Sequence, residues 1–144
     1  MILHAAKKNL NYIIVKMRYN NTLHTIESTN LNNSLAFYYA LFNRMPDVLD
    51  ENSMLFHMEA FSLLVQETSV ARALSQGELN FQIQQKEELI AVNDRMRRFR
   101  AIAQMNNHCE VLGEAFGLMD PDGNKWVVGD PRKKVQFEKC YINN

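Results

Sequence analysis

The stretch AFGLMDPDGNKWVV, residues 115–128, decides the fold. Two apolar runs, Ala115–Met119 and Trp126–Val128, flank the four residues Asp120, Pro121, Asp122 and Gly123. Proline is pre-set for the second position of a type I turn, and glycine accepts the left-handed backbone that lets the chain leave it. The pattern therefore predicts a tight β-hairpin near the end of the chain. Asp120 and Asp122 read as turn formers, not as a catalytic carboxylate pair, because an Asp side chain accepts hydrogen bonds from nearby backbone amides.

The hairpin ends a pattern that occurs twice. In the first occurrence Thr22–Ser28 has the β-branched, mixed character of a half-buried strand. Thr29 or Asn30 can then cap a helix with apolar residues Leu31, Leu35, Tyr38, Leu41 and Phe42 at three- and four-residue spacing. Tyr38 and Tyr39 read as packing residues of that helix. Pro46 stops it, Asp47–Asp50 suits a short edge strand, and Ser53–Glu59 with Phe61–Glu67 suits a hairpin. Residues 68–77 read as a linker. A second strand follows at Glu78–Gln85, then a helix at Glu87–Arg100 with Leu89, Ile90, Val92, Met96 and Phe99 inward, then the closing hairpin.

Composition narrows the function classes. With 144 residues, 47% of them hydrophobic, the chain suits one domain with a substantial core. Sixteen basic and sixteen acidic residues cancel, so no global field would draw it to nucleic acid or anionic lipid. Arg95, Arg97, Arg98 and Arg100 read as the solvated face of the second helix. Two cysteines, Cys109 and Cys140, without CxxC spacing suit reduced thiols in a cytoplasmic protein, and Tyr12–Val15 is too short for a signal core or a membrane span.

Two tandem βαβββ units, with Phe37-Tyr38 and Leu41-Phe42 on the first helix and FGLMDPDGNKW at the close, resemble the vicinal oxygen chelate superfamily. This group includes glyoxalases, bleomycin-resistance proteins and extradiol dioxygenases. The resemblance implies an α+β fold in which two tandem βαβββ modules form a cupped mixed β-sheet with helices packed outside. It places an extension at 1–19, one glyoxalase-like domain at 20–130 (modules about 20–68 and 78–130) and a tail at 131–144. It also implies metal-ligand positions at Leu23, Phe81 and Val127. None of these side chains can bind a divalent ion, which needs nitrogen, oxygen or thiolate donors. Arsenical carbon-bond lyases of the superfamily carry a vicinal cysteine pair where this chain has His108-Cys109, so that activity is not carried over.

Alternation from the same register aims Leu23, Thr25, Glu27, Leu55, His57, Glu59, Leu64 and Gln66 toward the cup from the first module. Phe81, Ile83, Gly117, Met119 and Val127 would join them from the second. His24 falls on the helix face unless a bulge turns it. The expectation is a metal-free protein without a cofactor, probed by a small organic ligand through Leu23, Thr25, Glu27, Leu55, His57, Leu64, Phe81, Met119 and Val127. A homodimer is expected, with no nucleic-acid or membrane partner. The alternatives are a divalent-metal lyase or dioxygenase using His24, His57 and Glu27 in a shifted register, and a metal-free enzyme with His57 as acid or base beside Glu27 or Glu59.

Overall fold

A computed structural model of the chain describes residues 22–73, 77–103 and 115–130, with side chains of the second helix described as far as residue 97. The extension 1–19, the tail 131–144, and His108-Cys109 lie outside the described residues. The elements run β1 (Thr22–Ser28), α1 (Leu31–Phe42), β2 (Val48–Leu49), β3 (Ser53–His57), β4 (Phe61–Glu67), β5 (Leu79–Gln82), α2 (Lys86–Ala103), β6 (Ala115–Met119) and β7 (Lys125–Gly129). They build two mixed sheets, ordered β1-β4-β3-β2 and β5-β7-β6.

The repeat expected from the sequence is visible in the topology. In each sheet the first strand lies parallel to the last, and the last is antiparallel to the one before it. A parallel pair needs a crossover, and α1 and α2 lie within those connections. The fold is α+β with glyoxalase-like modules.

Local chemistry explains the limits of α1. Asn30 is its N-cap, and its side-chain oxygen accepts from the Asn33 amide at 3.1 Å. The Leu31 amide, another donor with no partner inside the helix, donates to Glu67 Oε2 on β4 at 2.8 Å. At the other end Asn43 takes a left-handed conformation, φ 55°, and its amide donates to the Tyr39 carbonyl. The Glu67 carboxylate also complements the positive end of the helix dipole. Glu67→Gln is expected to lower stability by about 0.5–1 kcal/mol at low salt, with the difference shrinking in high salt. Urea unfolding at two ionic strengths measures this.

The helix-facing sides of both sheets share one core. Ile26 from β1, Met54 and Phe56 from β3, and Phe61, Leu63 and Val65 from β4 meet Phe116, Leu118, Trp126 and Val128 from the second sheet. Phe37, Tyr38, Leu41 and Phe42 of α1 pack into the same cluster, as do Leu89, Val92 and Met96 of α2.

Four sequence expectations need correction. Phe81 and Ile83 belong to this helix-side core, not to the cup, because Phe81 pairs with Val128 and packs edge-on against Phe42 with ring centroids 5.1 Å apart. Counting from the implied ligand position puts β5 one residue out of phase. Ile90 is 47% exposed rather than inward. Arg95 is partly buried rather than solvated: its Nε–H donates to the Ala40 carbonyl at 2.8 Å and its Nη2 to the Leu41 carbonyl at 3.4 Å. It thereby satisfies carbonyls in the last turn of α1, which have no partner within the helix.

Candidate functional site

The register of the first sheet places side chains on its other face in rows. Leu23, Ser62 and His57 form the first row, and Thr25, Leu64, Leu55 and Val48 the second. Glu27, Gln66 and Ser53 form the third. Leu55, Leu64 and Val48 make an apolar cluster separate from the main core, with Leu23 packed against it. Leu55 is 0% and Leu64 5% exposed, so the centre of this face is covered, while Leu23 is partly exposed and Thr25 and His57 are exposed at its edge. The face therefore has an apolar centre with polar residues at both ends.

His57 occupies one end. Its Nδ1 lies 3.1 Å from Ser62 Oγ across the β3–β4 pair, and Ser62 is fully buried. The backbone at His57 is clamped as well. Its amide donates to Asp47 Oδ2 at 2.6 Å, and its carbonyl accepts from Arg44 Nη1 at 3.2 Å. Arg44 and Asp47 form a 2.8 Å ion pair with each other.

The register separates the proposed partners of His57. Glu27 sits four residues along the strand direction and two strands across, about 13 Å by about 10 Å, too far for an acid-base pair. Its Oε2 accepts from the Arg72 amide at 3.2 Å. Glu59 lies in the connection after β3.

His24 faces the opposite side of the sheet, as alternation predicts. Its ring stands 6.0 Å from that of Phe61, and burial lowers its pKa. A metal site shared by His24 and His57 would have to reach through the sheet. Among the described residues, no group of three or more His, Cys, Asp or Glu side chains is placed to hold a metal ion. Leu23 and Val127 carry no donors, so the residues at these positions do not fit a divalent metal.

In the second sheet Val127, Gly117 and Met119 occupy the face away from the core, as expected. Asn80 and Gln82 of β5 share it, replacing Phe81 and Ile83. Both Asn80 and Gln82 are exposed. The signal that could have located them was the alternation Leu79, Phe81, Ile83, read as facing the core.

The closing turn carries a second polar centre. The Gly123 amide donates to the Asp120 carbonyl at 3.1 Å, closing the turn. Asp120 is 2% exposed, and its carboxylate accepts four hydrogen bonds. The donors are Tyr38 Oη at 2.7 Å, Asn124 Nδ2 at 2.8 Å, and the Asn124 and Asp122 amides at 2.8 and 3.0 Å. Tyr38 Oη in turn accepts from Trp126 Nε1 at 3.0 Å. Burial raises the pKa of Asp120 despite these donors. Burial, followed by the nearby Asp120 charge, pushes that of Tyr38 well above its ordinary value. Tyr38 is thus more than a packing residue, while Asp120 performs the turn role expected of it.

Two modules of this topology, joined through a common core, define the vicinal oxygen chelate fold of glyoxalases and bleomycin-resistance proteins. A glyoxalase/bleomycin resistance protein from Albidiferax ferrireducens T118 matches with a TM-score of 0.59 at 21% identity, over 75% of this chain and 95% of its own. The fosfomycin resistance protein FosX from Listeria monocytogenes also matches at 0.59, with 16% identity over 83% of this chain and 95% of its own. In sequence, a trivalent organoarsenical cleaving enzyme of Bacillus sp. (strain MD1) is 27% identical over 106 residues, 68% of this chain. The match spans 65% of that relative's length. No protein-family model matches the chain.

Proposed function

We propose that the protein binds a small organic molecule without a metal, on the face built from Leu23, Thr25, Leu55, His57 and Leu64; Met119 and Val127 lie on the outer face of the other sheet and are not brought to it. The observation that carries this reading is the separate apolar cluster of Val48, Leu55, Leu64 and Leu23, opposite the helix-side core and bounded by a few polar groups. A site of that composition holds an apolar ligand by burial and orients it with one or two hydrogen bonds. The fold similarity to a glyoxalase/bleomycin resistance protein is compatible with this role.

Fluorescence titration with 8-anilinonaphthalene-1-sulfonate tests the reading. Saturable binding at one site per chain is expected, weakened at least ten-fold by Leu23→Glu, whose position on β1 is only partly buried. Non-saturable binding, or binding indifferent to that change, would sink the proposal. So would stoichiometric Fe, Zn, Ni or Mn in the purified protein that His57→Ala removes. Light scattering on the same sample tests a homodimeric assembly.

A second reading draws on the arsenical-cleaving relative. In it the protein cleaves a carbon–arsenic bond in a trivalent organoarsenical. Release of inorganic arsenite from an aryl arsenical, assayed with and without added divalent metal, would favour it over binding alone.

A further inference from the structure

We infer that the ligand of this face is an organic anion: an apolar body with one carboxylate-type head group, received by His57 and selected through Ser62. This rests on the binding role proposed for the face and adds the chemical class of what it takes.

Three observations carry it. The first row of the face runs Leu23, Ser62, His57, immediately beside the apolar row Thr25, Leu64, Leu55, Val48, so the imidazole stands where an apolar surface ends. The ring is held. Nδ1 is engaged by the fully buried Ser62 hydroxyl at 3.1 Å, while Asp47 and Arg44 fix the backbone amide and carbonyl of the same residue. Finally, His57 is exposed, and its Nε2 has no hydrogen-bond partner among the described residues.

The direction of the Ser62 bond sets the specificity. The contact allows either group to donate; with the Ser62 hydroxyl donating to Nδ1, the imidazole proton resides on Nε2, which then donates outward. A group that donates outward, beside an apolar surface, recognises an acceptor, and an anionic acceptor most strongly. In that arrangement Ser62 is a positioning residue: it selects the tautomer and leaves contact with the ligand to His57.

Calorimetric titration with 2-naphthoate and 2-methylnaphthalene, which share a ring system and differ in the head group, tests the inference. The wild-type protein is expected to bind naphthoate about ten-fold or more tighter, the value of one hydrogen bond to a charged group. His57→Ala should bring the two affinities to within about two-fold. Ser62→Ala should reduce the preference while retaining the fold by circular dichroism, and His57→Gln, which keeps a side-chain donor, should restore part of it. Equal affinities in the wild-type protein, or a preference that survives His57→Ala, would overturn the anion assignment and leave the apolar site standing. Failure of both probes, together with non-saturable dye binding, would remove the site itself.

Discussion

Asp120→Ala is expected to destabilise the fold by about 4 kcal/mol, a large part of the roughly 5–15 kcal/mol that holds a domain of this size together. The carboxylate is the common acceptor for Tyr38, the Asn124 side chain and two turn amides. Its loss leaves several buried donors without a partner, each costing about 1–3 kcal/mol where water cannot reach. Tyr38→Phe separates the contributions, because it removes the bridge between Trp126 and Asp120 while keeping the ring. A loss of about 2 kcal/mol is expected there. Trp126 is the sole tryptophan and is fully buried, so denaturant unfolding followed by its fluorescence reads both variants directly.

The same carboxyl makes a signed pH prediction. Burial raises its pKa in the folded protein, so the folded chain keeps the proton to a higher pH than the unfolded chain does. Its contribution to stability is therefore fully present below the ordinary carboxylate range and is lost as pH rises through the raised folded value. Asp120→Asn has no such titration. Its deficit relative to wild type should be largest in acid and shrink as pH rises through that window, measured by urea unfolding at matched pH. A deficit that grew with pH would mean that the four donors outweigh burial.

Phe42→Ala is expected to cost about 3–5 kcal/mol, the usual range for an aromatic truncated in a packed core. Phe42 is where α1 meets both sheets. Its ring lies 5.6 Å from Tyr38, 5.2 Å from Phe56 and 5.9 Å from Phe61, and 5.1 and 5.7 Å from Phe81 and Trp126 of the second sheet. Truncation opens a cavity among rings from four strands, which cannot all move inward together. Thermal unfolding by calorimetry gives the loss. Phe42→Leu, which keeps most of the volume, should recover more than half of it.

The parts of the fold legible in the sequence were those written in local chemistry. The Asp120–Gly123 turn, the Asn30 cap and the inward run of α1 each depend on residues within a few positions of one another. The candidate face was legible where alternation could be counted from a well-anchored strand, which placed Leu23, Leu55, His57 and Leu64 on one side of the sheet and His24 on the other. It failed at Phe81, where a one-residue error of phase reverses every side chain of a short strand. Ser62 was missed because a serine inside an apolar strand carries no signal until its cross-strand partner is known. Arg95 read as solvent-facing for a related reason: its carbonyl partners lie 54 and 55 positions away.

The bonds around the closing turn also bear on the order in which the molecule can be assembled. Tyr38 waits for Asp120, 82 positions later, and for Trp126, 88 positions later, while Thr29 donates to Asp122 across 93. A growing chain presents the whole of α1 long before these partners leave the ribosome. Until then Tyr38 lacks Trp126, and Phe42 lacks Phe81 and Trp126. Consolidation of the first module is thereby tied to the β6–β7 hairpin, and such distant closure slows folding. A nascent chain halted before residue 115 would expose an aromatic surface to chaperones, and release of the β6–β7 hairpin would end that exposure.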